Sequence, residues 1–335
     1  MFVPSMWMQA FDGVTTALEL EGGNLPITEA YAVAQNEGRP LNYGYSASWA
    51  AARMLPDVVP MLREAQRRGL RITVEAYPYG ARSTVIGAQL FDPAALDVQG
   101  INEKDIFYVP TQRRIESRQE LIDARRENPA GTAVIFFLDE EKEEQRAVLD
   151  LAVLYPDAAI ASDTIWWVRR NGKPVVEPVW PLPEDAYAHP RSAGSCTRLL
   201  GRYVRERKQL SLMEAIRKAS LLPAQIIEDA APQMTTKGRI RLGADADIIV
   251  FDPDTVIDRA TYANPRQPAE GMGHVIVSGV PIIRDGKLDT AVMPGKPVRG
   301  PVGREPIESK TAERTILESD VMATILELRA ASALR

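Results

Sequence analysis

Asp163 closes an apolar stretch, AAIASD, and Arg191 follows His189-Pro190 some way downstream. A carboxylate placed there can open a turn, hold a metal ion or carry a proton. A guanidinium placed like Arg191 is either an exposed loop cation or a clamp for a carboxylate, whose two oxygens its fork can bond together. Glu19 and Glu21 alternate in GVTTALELEGG, so their side chains share one face of a strand, as a solvent-facing edge or as a carboxylate pair. Tyr77 and Tyr79 flank a proline and read as packing aromatics or as site residues. Ser195-Cys196 has no neighbouring base in the chain and reads as a buried structural cysteine. Histidine occurs only twice, as His189 and His274, the latter leading a strand. GARSTVIG and GADADI match neither the P-loop nor the dinucleotide fingerprint.

The elements that must position these residues fall in two textures. Strands are predicted at GVTTALELEGG, LNYGYSA and LRITVEAYPYG, the last stopping at Pro78 with a loop over Gly80 to Thr84. PDVVPMLREAQRRG reads as a helix capped by Asp57 and closed by Gly69. Ser117 with Glu120 forms a capping box for SRQELIDARREN, and Ser211 with Glu214 does the same for LMEAIRKASLL. TAVIFFLD, then EEKEEQRAVLDLAVL, then AAIASD reads as a strand, helix and strand, a βαβ unit with parallel strands. Thr164 to Ala188 is a long loop rich in Pro and Trp. After Gly238 the chain turns to short strands with tight Gly and Asp-Gly turns, in GRIRLGADADIIVFDPDT and HVIVSGVPIIRDGKL. The final stretch, SDVMATILELRAASALR, reads as a helix with Val321, Ile325 and Leu328 on one face. In an α/β body of parallel strands, functional groups sit at the C-terminal strand ends, where Glu21, Tyr77 and Asp163 lie.

With 335 residues the chain can bury a large core, and 45% hydrophobic and 25% charged residues are ordinary for a globular protein. A net charge of −5 gives no electrostatic footprint for nucleic acid. One cysteine rules out an intramolecular disulfide and fits a reducing compartment. No apolar run reaches the roughly 18 residues of a membrane span, and the opening lacks signal-peptide character. A cytoplasmic location is expected.

KGRIRLGADADIIVFDPDTVIDRATY resembles the C-terminal signature of the amidohydrolase superfamily. NPRQPAEGMGHVIVSGVPIIRDGKL, PGKPVRG, HPRSAGSCTRLLGRYVRERKQLSLMEAIRK, FDGVTTALELEGG and ITVEAYPYGARST resemble its N-acyl-D-amino-acid deacylase (D-aminoacylase) branch, within it the D-glutamate deacylase-like members. The resemblance covers residues 9 to 300. It implies an α/β fold, a metal-dependent-hydrolase (β/α)8 TIM-like barrel with a small β-sandwich module. The expected divisions are a partial barrel over 1–230, the module over 231–300, and a polar linker with a helix over 301–335. It implies a zinc cofactor and hydrolysis of N-acyl-D-amino acids, small-molecule substrates, to a carboxylate and a D-amino acid. By that resemblance Asp163 is the catalytic acid–base and metal residue, and Arg191 clamps the substrate α-carboxylate. Tyr77 and Ser83 are carboxylate or oxyanion partners, and Glu21 is the candidate metal ligand, with Glu19 second.

The sequence departs from that pattern where metal chemistry needs it most. The branch's His-x-His pair precedes the point where this sequence starts, and its middle metal histidines would fall where LNYGYSASWAAARM abuts PDVVPMLREAQRRG. Neither His189 nor His274 matches a metal position, and zinc hydrolase sites ordinarily need three protein ligands. The expectations are therefore impaired hydrolysis by this chain and open strand edges that favour a homo-oligomer. The rivals are another amidohydrolase reaction on a carboxylate-bound metal and a non-catalytic carboxylate-binding or assembly protein.

Overall fold

The computed structural model of the chain describes residues 3–19, 34–45, 60, 63, 64, 66, 67, 73–164 and 166–300. Glu21 and the tail helix over 319–335 lie outside the described residues, as does most of the helix predicted over PDVVPMLREAQRRG.

Helix α1 (Val3–Phe11) is buried on nearly every side and packs on the helix Arg191–Arg198 and the strands Met272–Val277 and Val280–Arg284. Strands β1 (Thr16–Glu19) and β2 (Asn42–Tyr45) pair in parallel. So do β3 (Val74–Ala76) and β8 (Ala158–Ile160), in the register Val74 to Ala158 and Ala76 to Ile160. This second pair sets the chain after β3 and the chain after β8 at the same end.

Between them runs β4 (Ala81–Val85), α2 (Pro93–Gln99), β5 (Ile106–Tyr108), β6 (Arg113–Arg114), α3 (Arg118–Glu127), β7 (Thr132–Phe136) and α4 (Glu143–Val153). The loop predicted over Gly80 to Thr84 is instead strand β4, held by antiparallel pairing of Ala81–Val85 with Thr132–Phe136. The predicted βαβ unit is also corrected. β7 does not pair with β8; it lies inside an antiparallel sheet of order β4-β7-β5-β6. Thr132 to Ile135 are buried because β7 is central in that sheet, and a buried apolar run alone cannot tell the two surroundings apart. Only half of the capping box predicted for α3 forms: Glu120 donates its N–H to Ser117 Oγ at 3.2 Å, but its carboxylate accepts from Glu116 N and not from Ser117 N.

Helix α5 (Arg191–Arg198) continues as a π-helical stretch over Leu199–Glu206 and is followed by α6 (Leu212–Ile216) and α7 (Leu222–Ile227). The segment before α5, residues 166–190, holds no strand or helix beyond the isolated bridges of Val168 to Pro174 and Tyr187. It nevertheless builds its own core, where Trp167, Val175, Leu182 and Ala186 pack with Met8, Ala193 and Ala260.

The C-terminal part is one antiparallel sheet of order β12-β11-β10-β9, made of β9 (Ile248–Phe251), β10 (Met272–Val277), β11 (Val280–Arg284) and β12 (Lys287–Leu288). Its turns carry Ser278-Gly279 (φ 51° and 84°) and Asp285-Gly286 (φ 52° and 72°), the paired left-handed residues of two-residue hairpins. The strand predicted from GRIRLG does not form; only Ile248–Phe251 of that run is extended. Asn42 joins this sheet to β2: its amide donates to Asp247 at 2.9 Å and its carbonyl oxygen accepts from Ser278 Oγ and Lys296 N.

Candidate functional site

Tyr77 comes directly after β3, and Asp163 lies just past β8, where Ala161 N still bonds Ala76 O at 3.0 Å. The parallel register therefore brings both residues to one C-terminal end. Asp163 holds φ at 45°, a left-handed conformation that aspartate tolerates better than most residues. The loop around it is tied down: Thr164 Oγ1 donates to Ser162 Oγ at 2.7 Å and accepts from Gln9 Nε2 of α1 at 3.1 Å.

Arg191 begins α5 and reaches the same place. Its Nη2 lies 2.7 Å from Asp163 Oδ2, with the Arg191 side chain 2% exposed and the Asp163 side chain 26% exposed. The guanidinium carbon sits 4.6 Å from the Tyr77 ring centroid, so the cation rests on the π-face. Burial raises the Tyr77 phenol pKa, partly offset by the Arg191 charge. Arg191 Nε and Nη1 are buried and find no acceptor among the described residues. Buried donors are normally paired, so two guanidinium donors without acceptors beside an anchored third mark a place for an acceptor-rich group.

His189 supports this cation from below. It is fully buried, and Arg191 N donates to its Nδ1 at 3.0 Å. Burial drives its pKa well below the ordinary value, and the charges of Arg191 and Arg198 push the same way, against a bond to the Ala81 backbone. Tyr79 and Tyr262 meet the ring edge-on, with centroids 5.5 and 5.1 Å away. Sequence reasoning placed His189 in the arginine motif without a task of its own. The signal was present in the spacing, because a side-chain acceptor two residues ahead of a helix start is a capping arrangement.

A second layer fixes α5 itself. Arg198 lies over Tyr79 at 4.4 Å, bonds Pro78 O and Asp258, and pairs with Glu140, whose other oxygen accepts from Gly80 N at 2.8 Å. Asp12 accepts from the backbone N–H groups of Cys196 and Thr197 and from Thr197 Oγ1 at 2.6 Å. It thereby caps the helix beyond the break at Gly194. Desolvation by burial lifts the Asp12 pKa to about 6 in spite of these bonds. The Asp12, Arg198 and Asp258 roles were not legible in the sequence, since their partners are far away along the chain.

Ser83 lies in β4, is 6% exposed, and its Oγ donates to Ala133 O at 3.0 Å across the β4–β7 pair. No described contact joins it to Arg191, Tyr77 or Asp163. Glu19 ends β1, and Glu21 lies outside the described residues. Burial and Asp12 raise the Cys196 thiol pKa well above its usual value, which makes a nucleophilic role unfavourable. His274 lies on β10 with Nε2 3.6 Å from Asp285, away from the strand ends that carry Tyr77 and Asp163.

Zinc needs three or four donors around one point. Among the described residues no three His, Cys, Asp or Glu side chains come together in that way. Asp163 is engaged by Arg191, and His189 Nδ1 by a backbone N–H. The described residues therefore do not fit a zinc ion. They do fit an anion.

Comparison with known proteins gives the frame. The chain is 32% identical over 244 residues to the N-acyl-D-glutamate deacylase of Alcaligenes xylosoxydans xylosoxydans, covering 72% of this chain and 42% of the relative. It is 28% identical over 233 residues to the D-aminoacylase of the same organism, covering 68% of this chain and 41% of that protein. It thus spans less than half the length of these curated relatives. Among solved structures, it is similar to N-acyl-D-glutamate deacylase from Bordetella bronchiseptica, complexed with zinc and a phosphonate inhibitor, with TM-score 0.54 and 25% identity over 84% of this chain and 54% of that one. A D-aminoacylase structure matches with TM-score 0.56 at 22% identity, over 82% of this chain and 53% of that one. The fold is the expected incomplete TIM-like barrel with a small β module. Residues 41–283 match the amidohydrolase family, and the chain belongs to it.

Proposed function

We propose that this chain is a carboxylate-binding member of the N-acyl-D-amino-acid deacylase branch. Arg191 and Tyr77 receive the α-carboxylate of an N-acyl-D-amino acid, N-acyl-D-glutamate being the first ligand to test. One observation carries the reading: Arg191 is buried, anchored by Asp163 at 2.7 Å, and keeps two donors without acceptors among the described residues. An incoming carboxylate could accept from either of them, and charge-assisted bonds of this kind are about twice as strong as neutral ones.

The reaction class proposed is hydrolysis of a linear amide, with Asp163 as the group that takes and returns a proton. Ser83 and Tyr77 remain proposed carboxylate or oxyanion partners, and Glu21, with Asp163, the proposed remainder of a metal set. The donor set among the described residues falls short of zinc, so turnover by this chain is proposed to be low. A barrel over 1–230 and a module over 231–300 are the proposed divisions.

A second reading, assembly with a further copy of the chain, is favoured by β9. Among the described residues this strand is bonded on one side only, to β10, and it carries exposed Ile248 and Val250.

The deciding experiment pairs zinc analysis of the purified protein with N-acetyl-D-glutamate binding by calorimetry and its hydrolysis with and without added zinc. Binding that disappears in Arg191→Met, with little hydrolysis and little zinc, supports the proposal. About one zinc per chain and a zinc-dependent rate would overturn the low-turnover part. No binding would overturn the carboxylate part.

A further inference from the structure

His189 shapes the site through two bonds at once. Arg191 N donates to its Nδ1 at 3.0 Å, and Ser192 N donates to its carbonyl at 2.9 Å. The first turn of a helix leaves N–H groups without partners inside the helix, and a side-chain acceptor just ahead of it satisfies one of them. Pro190, between the two residues, has no N–H to satisfy and sits at φ −56°. The main chain entering α5 is therefore held at each residue from His189 to Ala193, whose N–H bonds Pro190 O at 2.9 Å. Ser195 Oγ closes the turn on Arg191 O at 3.0 Å.

An imidazole that accepts at Nδ1 carries its proton on Nε2. The groups facing this ring are the phenols of Tyr77, Tyr79 and Tyr262, the cations of Arg191 and Arg198, and the backbone of Ala81. A protonated ring would lose its accepting lone pair and set a second buried cation against Arg191.

We infer that His189 is a positioning residue for Arg191: its unprotonated Nδ1 fixes the start of α5 and so aims the guanidinium between Tyr77, Asp163 and an incoming carboxylate. The inference rests on the carboxylate-binding reading above. His189 touches no substrate itself. Its contribution is to keep a long, flexible side chain rooted where two of its donors find no acceptor among the described residues.

The test uses the full chain in a His274→Gln background, which leaves a single imidazole for nitrogen-15 NMR. The expected spectrum is the neutral Nε2–H tautomer, unchanged from pH 8 to pH 5.5. An Nδ1–H tautomer, or a ring that titrates within that range, would overturn the inference whatever the binding result. In parallel, N-acetyl-D-glutamate binding is compared for the parent, His189→Asn and His189→Phe. Asparagine sets an oxygen where Nδ1 stood and is expected to keep affinity within about threefold, whereas phenylalanine has no acceptor and is expected to lose at least tenfold. Equal binding by parent and His189→Phe overturns the inference alone. Failure of the parent to bind overturns the carboxylate reading and the inference with it. Should the phenylalanine variant not fold, the tautomer and the asparagine variant still decide.

Discussion

Arg191 lies over the face of Tyr77, its guanidinium carbon 4.6 Å from the ring centroid, and the same group meets Asp163 at 2.7 Å. Three separate elements converge in that contact: the ends of β3 and β8 and the start of α5. Helix α1 and the residue directly after it hold two of them, because Gln9 bonds the loop of Asp163 through Thr164 while Asp12 caps the helix of Arg191. The geometry around Arg191 thus depends on a helix that contributes no residue to this contact.

The Asp163–Arg191 pair gives a stability prediction. Removing the carboxylate strands a cation that is 2% exposed, and loss of one partner of a buried pair costs about 3 kcal/mol. Asp163→Asn is expected to lower the unfolding free energy by that order in urea titrations. Asp163→Gly suits the φ of 45° and isolates the charge effect from any backbone strain. If both variants matched the parent in stability, the pair would not be formed in solution.

Asp12 gives a pH dependence whose sign is unusual for an aspartate. Its folded pKa, about 6, stands above the ordinary 3.8, so between these values the folded state holds a proton that the unfolded chain has released. Stability should therefore decline as pH rises through that window and level off above it, by about 3 kcal/mol in all. Asp12→Asn is expected to remove most of that decline. The check is the urea midpoint of both proteins from pH 4 to pH 7; parallel profiles would contradict it.

Gly194 interrupts α5 three residues after Arg191, and a Cβ there would meet Asp258 Cβ at 2.7 Å. Asp258 cannot swing aside freely, because Arg198 and Arg202 each hold one of its oxygens at 2.9 Å. Gly194→Ala is expected to destabilise by about 1–3 kcal/mol, as overpacking does, and to weaken N-acetyl-D-glutamate binding by shifting α5. Thermal unfolding and calorimetry read the two effects separately, and an unchanged melting temperature would refute the clash.

The open edge of β9 predicts self-association. Val250 is 50% exposed and Ile248 39% exposed on a strand with one bonded neighbour among the described residues. Val250→Lys places a charge on that edge and is expected to reduce the mass measured by light scattering at a given concentration. A parent protein that stays monomeric at high concentration would remove the assembly reading.

Much of the outline was legible in the sequence because it is written in local rules. Ser117 with Glu120 and Ser211 with Glu214 start helices as their side chains dictate, and the Asp-Gly and Ser-Gly turns set the hairpins of the C-terminal sheet. The long motifs around Lys237 and His189 resembled the amidohydrolases, and the family match agrees. Asp163, Tyr77 and Arg191 could each be singled out, but only one at a time. What tertiary structure decided is their meeting, since it depends on the parallel register of β3 with β8 and on a helix start brought across from beyond a long loop. The same holds for strand β4, whose Gly and Ser suggested a loop, and for β7, whose apolar run is buried by neighbouring antiparallel strands. Burial and pairing are properties of distant neighbours, and a run of residues does not carry the identity of the partner that will cover it.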